Sequence, residues 1–145
     1  MQRKTSPSLD PTTCNCLALR QAARHVSQIY DGHLASEGLR TTQYSILAKL
    51  DRLGPMSINE LAKSMVMDRT TLGRAIRPLE RDGLLTIGAG DDGRTRSLRL
   101  TATGEARFKA AKAKWRAAQR EFEMAFGARE AADLRMVLRR VVSMN

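Results

Sequence analysis

SINELAKSMVMDRTTLGRAIRPLERDG, residues 57–83, is the stretch whose reading decides the fold. Ser57 and Glu60 form a capping box, in which a hydroxyl and a carboxylate three residues on satisfy each other's free backbone donors, so a helix begins there. Ile58, Leu61, Ala62 and Met65 give that short helix one apolar face. Asp68 then offers a fresh N-cap for a further helix running to about Asp82, and Gly83 closes it. Two helices separated by so few residues cannot lie antiparallel. They cross steeply, which is a helix-turn-helix.

Working outward from Gly83, Leu84 to Ile87 reads as a strand, Gly88 to Arg96 as a flexible charged loop, and Ser97 to Leu100 as a second strand with Leu98 and Leu100 on one face. Thr101 caps a long helix in which Phe108, Ala111, Trp115, Ala118, Phe122 and Phe126 recur at three and four residues; Gly127 breaks it. A final helix, roughly Arg129 to Ser143, turns Leu134, Val137, Leu138 and Val141 inward. Upstream, Leu19, Ala23, Val26, Tyr30 and Leu34 give one helix face from Cys14 to about Ser36, ended by Gly38. Thr41 or Thr42 caps the next helix, with Ile46, Leu47, Leu50 and Leu53 inward, and Gly54-Pro55 stops it.

The fold class is therefore mainly α with a small β-hairpin: a winged helix-turn-helix over 37–101, dimerisation helices over 14–36 and 102–145, and a flexible polar arm over 1–13. The stripes of the end helices have little to cover within one chain. They are expected to cover each other and the same helices of a second subunit, making a homodimer.

The chain has 145 residues, about one domain, and at that size a core forms without metal or disulfide staples. Its 25 Lys and Arg against 15 Asp and Glu leave a formal charge of +10, so a polyanion is the first partner to consider. Cys14 and Cys16 are too close for an easy bridge, which fits a reducing, cytoplasmic setting. No signal peptide and no membrane span can be read.

With Leu72, Ile76 and Leu79 defining the buried side of the second helix of the motif, Thr70, Arg74, Arg77 and Arg81 lie on the opposite side at 100° per residue, with Thr71 on the flank. Arg69 precedes them. Arginine can donate two hydrogen bonds to a guanine edge, threonine can offer a hydroxyl or a methyl, and further arginines can meet phosphates. A solvated basic face is the bland alternative for a lone helix, and the helix-turn-helix setting favours double-stranded DNA. Pro78 lacks an amide hydrogen and is expected to kink the helix beyond its base-reading turns. The hairpin tip carries Arg94 and Arg96 as DNA-binding candidates; Arg94 can enter a narrow minor groove, with Asp92 expected to hold it by an ion pair.

Gly88 to Gly93 matches G-x-G-x-x-G, but a strand follows where a dinucleotide site needs a helix N-terminus. No P-loop, metal-ligand spacing or catalytic constellation is found, so no cofactor, no metal and no enzyme activity is expected.

From Cys14 to Val142 the chain resembles MarR-type transcriptional regulators. The resemblance is carried by Ser57-Ile58-Asn59-Glu60-Leu61-Ala62, Leu79-Glu80-Arg81-Asp82-Gly83-Leu84-Leu85, and Asp92-Gly93-Arg94 leading to Leu98-Arg99-Leu100-Thr101 and Gly104. It implies an obligate dimer on a palindromic operator, released by a small aromatic acid-like ligand or by oxidation. It also implies base-facing roles for Thr70, Thr71 and Arg74 and a wing pair of Asp92 and Arg94, with Pro78 departing from the commonest pattern. Cys16 and Tyr30 repeat the fourteen-residue spacing of the organic-hydroperoxide-sensing branch, whereas Arg20 stands where that branch has a second tyrosine. The regulatory candidates are Cys16, Tyr30 and Tyr44. Incidental cysteines with Tyr30 in the core, and a non-specific architectural DNA-binding protein, are the competing readings.

Overall fold

The computed structural model describes residues 10–145. Residues 1–9 of the expected arm lie outside the described residues; its last part, Pro11–Thr13, is a 3-10 turn capped by the Asp10 carboxylate, which accepts from Thr12 N–H at 2.9 Å. The elements that follow are α1 (Asn15–Leu34), α2 (Thr41–Leu53), β1 (Met56–Ser57), α3 (Ile58–Met65), α4 (Arg69–Arg81), β2 (Leu85–Ala89), β3 (Arg96–Leu100), α5 (Ala102–Phe126) and α6 (Ala128–Val142).

Local side chains set most of these boundaries. Ser57 Oγ accepts from Glu60 N–H at 3.1 Å and the Glu60 carboxylate accepts from Ser57 N–H at 2.9 Å, which is the expected capping box. Asp68 Oδ1 accepts from Thr71 N–H at 2.7 Å, starting α4. That helix runs unbroken through Pro78 to Arg81. At the other end of the first helix, α1 stops at Leu34 and a 3-10 turn, Ala35–Glu37, carries the chain to Gly38, whose φ of 68° a residue with a Cβ adopts at a cost.

Three expectations change. The N-cap of α2 is Arg40, not Thr41 or Thr42, because other side chains take the free amides: Asp31 Oδ1 of α1 accepts from Thr41 N–H at 2.7 Å and Gln43 Oε1 accepts from Arg40 N–H at 3.0 Å. Leu53 is 60% exposed, since α2 outruns the core by its last turn, and Tyr44 fills the apolar face instead. The hairpin strands are longer than their apolar alternation, and β1 makes a third strand, with Met56 opposite Leu98 and Ser57 opposite Ser97. The sheet order is β1-β3-β2, antiparallel throughout. A two-residue strand after Pro55 has no period to read.

The core brings Leu34, Ile46, Leu47, Leu61, Leu72, Leu79, Leu84 and Leu98 together, each essentially without solvent contact. Burial of such a side chain contributes about 1.5–3 kcal/mol. On one side α5 packs over α1, α2 and β3, with Phe108 and Trp115 against the Tyr44 ring. Its N-terminus is locked to the turn that leads into β2: Thr101 Oγ1 donates to Gly83 C=O and accepts from Gly104 N–H at 2.9 Å, while Thr101 N–H donates to Leu84 C=O at 3.1 Å. Gly104 lies so near Leu84 that an added Cβ would overlap that carbonyl oxygen.

The end helices are covered on one side only. In α6 Ala131 alone is buried; Leu134 and Val141 are half-covered, while Val137 and Leu138, expected inward, are 49% and 37% exposed. Leu19 and Ala23 of α1 are exposed as well. No described helix is long and apolar enough to cross a membrane.

Gly104→Ala is expected to lower stability by about 3 kcal/mol, because backbone must move to relieve the overlap. Val66, 69% exposed with φ 54° in the turn between α3 and α4, predicts the opposite: Val66→Gly is expected to gain about 1 kcal/mol by removing a left-handed β-branched residue. Urea denaturation of the two variants checks both signs.

Candidate nucleic-acid interface

Burial of Leu72, Ile76 and Leu79 beneath α4 fixes the helix's rotation. Thr70, Arg74, Arg77 and Arg81 are consequently exposed along its outer face, with Arg69 and Thr71 exposed at its first turn. Arg81 pairs with Asp82 at 3.3 Å. Arg69, Arg74 and Arg77 enter no ion pair among the described residues. Their guanidinium donors remain available to an outside acceptor. Thr71 is committed to the helix end, since its Oγ1 donates to Asp68 Oδ2 at 3.1 Å, so it presents a methyl and lone pairs. Those two bonds from Thr71, the backbone one first, hold the Asp68 carboxyl below its usual 3.8.

The wing departs from expectation in one respect. Asp92 makes no ion pair with the Arg94 side chain; its Oδ1 accepts from the backbone N–H groups of Arg94 and Thr95, each at 2.9 Å, and its Oδ2 from Thr95 Oγ1 at 2.8 Å. A carboxylate so placed closes the tip as a side-chain turn, because two amides in sequence converge on one oxygen. Gly93, at φ 69°, completes the bend. The result shapes the backbone and leaves the guanidinium groups of Arg94 and Arg96 exposed and unpaired among the described residues. Asp91 meets Arg99 at 3.5 Å instead.

The regulatory candidates do not converge within one chain. Cys16 is exposed in the first turn of α1, and it is Cys14 that caps the helix, its Sγ accepting from Leu17 N–H at 3.4 Å. Fourteen helical residues separate Cys16 from Tyr30, about 21 Å along the axis. The Tyr30 hydroxyl donates to Gln119 Oε1, and Tyr44 lies with ring centroids 5.2 Å from Phe108 and 6.0 Å from Trp115. Burial is the first cause that pushes both phenols above their usual pKa.

Open space lies elsewhere. Cavities of about 520 and 420 Å³ adjoin where α1 and the start of α2 face α4, and both are lined by Asp31, Arg40, Gln43 and Pro78, the smaller also by Arg74. Sequence reasoning missed Asp31, Arg40 and Gln43. Only Gln43, three residues after the cap, leaves a local signal.

With this geometry established, comparison with known proteins places the chain. A MarR family model matches residues 39–87. The transcriptional regulator MosR of M. tuberculosis, solved in complex with DNA, is 35% identical, covers 88% of this chain and 98% of its own, and superposes with a TM-score of 0.73. A probable transcriptional regulator from Pseudomonas aeruginosa is 27% identical over 90% of this chain and 98% of its own, with a TM-score of 0.78. The uncharacterized HTH-type transcriptional regulator YwoH of Bacillus subtilis is 29% identical over 90 residues, 62% of this chain and 66% of YwoH. The chain belongs to the MarR family. It is a DNA-binding transcriptional regulator.

Asp92 gives the wing a definite pH response. Hydrogen bonds, led by that from Thr95 N–H, hold its folded pKa below 3.8. In acid the unfolded turn therefore binds more protons than the folded one. Order at the tip is fully present above 3.8 and is lost as pH falls through the lowered value. Carboxyl NMR titration is expected to find Asp92 titrating below the ordinary aspartate range, and Asp92→Ala to broaden the tip amides at neutral pH.

Proposed function

We propose that this regulator is a cytoplasmic homodimer that represses by holding a palindromic operator in double-stranded DNA and lets go when a small aromatic acid binds. The observation that carries the reading is the placement of Arg74 and Arg77, in no ion pair among the described residues, on the outer face of α4 opposite the buried Leu72, Ile76 and Leu79. In this reading Thr70, Thr71 and Arg74 face base edges in the major groove, Arg69, Arg77 and Arg96 meet phosphates, and Arg94 enters the flanking minor groove on a wing shaped by Asp92. The half-covered faces of α1 and α6 support dimerisation through 14–36 and 102–145 around a winged region at 37–101. The DNA complex of MosR, at 35% identity, supports the choice of partner.

The seat beside Tyr30 and Tyr44 is filled in one chain by Gln119, Phe108 and Trp115. The cavity between Arg40 and Arg74 is the better place for a carboxylate, because an anion there would draw Arg74 away from a base edge. A second reading, release by peroxide through Cys16, is favoured by the exposure of both cysteines at the start of α1.

Binding to a duplex selected from a random pool by the intact protein tests these roles. Arg74→Ala is expected to cost about 1–3 kcal/mol on the selected duplex and to relax one base position, whereas Arg77→Ala weakens all duplexes alike and shallows the salt slope by about one. Equal losses on selected and random DNA from Arg74→Ala as well would support the architectural alternative. With the same duplex, Arg40→Ala is expected to abolish release by aromatic acids such as salicylate and leave affinity intact. If peroxide releases the parent but not Cys16→Ser, the redox reading replaces the ligand one.

A further inference from the structure

A cleft of about 310 Å³ opens between the wing and the first helix of the helix-turn-helix. Ser57 and Asn59 line it from the start of α3, Arg69 from the first turn of α4, and Arg94, Thr95 and Arg96 from the wing. Three arginines carried by two different elements thus line one small space. None is in an ion pair among the described residues, and no carboxylate lines the cleft.

The acids nearest in sequence are committed elsewhere. Glu60 accepts from Ser57 N–H, Asp68 from Thr71, Asp92 from the Arg94 and Thr95 amides, and Asp91 reaches Arg99. Concentrated like charge with no internal counter-ion is relieved when an outside anion bridges it. The neutral groups suit the same ligand. Ser57 Oγ accepts from Glu60 N–H and so keeps its own proton to donate, and the exposed Asn59 carboxamide makes no hydrogen bond among the described residues.

Several donors around a narrow space match an anion with more than one acceptor oxygen, and a phosphodiester has two that are not in the chain. We infer that this cleft clamps a single backbone phosphate of DNA, held by Arg69 from the recognition helix and by Arg96 from the wing, with Ser57 and Asn59 completing the seat. The inference rests on the DNA reading above and goes beyond it. It makes Asn59 a positioning residue, and it makes docking of the wing and insertion of α4 one coupled event. Arg94 lines the same cleft and, in this arrangement, leaves the phosphate to Arg69 and Arg96 and reaches the flanking minor groove.

Coupling through one phosphate has a signature that separate contacts lack. On the selected duplex, Arg69→Ala and Arg96→Ala are each expected to weaken binding about tenfold, and the double variant only about threefold beyond either. One neutral methylphosphonate, placed in turn at each position of the duplex, is expected to reproduce the loss in the parent at a single site per half-site. At that site it is expected to abolish the effect of both substitutions. Asn59→Ala is expected to lose a smaller factor at the same site. The three substituted side chains are exposed, so unchanged melting temperatures exclude misfolding. Multiplying effects, or effects that map to different phosphates, would overturn the clamp and leave the DNA reading standing. Selection of no duplex by the parent would overturn both.

Discussion

Leu72, Ile76 and Leu79 share one side of a thirteen-residue helix, and their burial against Leu61 and the α2 core decides how that helix is turned. Their combined burial contributes several kcal/mol, at about 1.5–3 kcal/mol for each side chain. A rotation of α4 by one residue would expose them and drive Arg69, Arg77 or Arg74 toward the interior. Desolvating one unpaired guanidinium costs several kcal/mol as well. Both terms favour the same setting, so the arginine row has one direction in which to point. The outward chemistry of the protein is thus a consequence of its inward packing.

The remaining elements hold that helix in place relative to its surroundings. Thr101 and Gly104 tie the start of α5 to Gly83 and Leu84, at the entry to β2, by two hydrogen bonds and a backbone approach that leaves no room for a Cβ. The wing is therefore anchored to the same long helix that reaches the half-covered end helices. Asp31 adds a link from α1 to the first amide of α2. A change in how α1, α5 and α6 pack in a dimer has short, rigid routes to both α4 and the wing.

Features decided within four residues are legible in the chain. The Ser57–Glu60 box, the Asp68 cap and the Thr101 cap all close over three residues, and each stands where the letters put it. The outward position of Thr70, Arg74 and Arg77 follows from period alone. Features decided across the fold are not legible. Arg40 caps α2 because Asp31, ten residues away, has taken the Thr41 amide. The strand at Met56 exists because Leu98 lies opposite it. Leu53 reads as core by spacing, but the core ends one turn earlier. Asp92 beside Arg94 suggests an ion pair, whereas the tight bend at Gly93 brings two amides closer to the carboxylate than the guanidinium.

In the proposed complex the arginines of α4, set outward by the buried Leu72, Ile76 and Leu79 and repeated by a second subunit, read two successive major grooves. Hydroxyl-radical footprinting of the intact protein on a duplex it has selected measures that arrangement directly. Two protected patches related by a dyad and centred about one helical turn, roughly 34 Å, apart, each flanked by a protected minor groove, are the expected pattern. A single patch without a dyad, or even protection that follows no sequence, would contradict it.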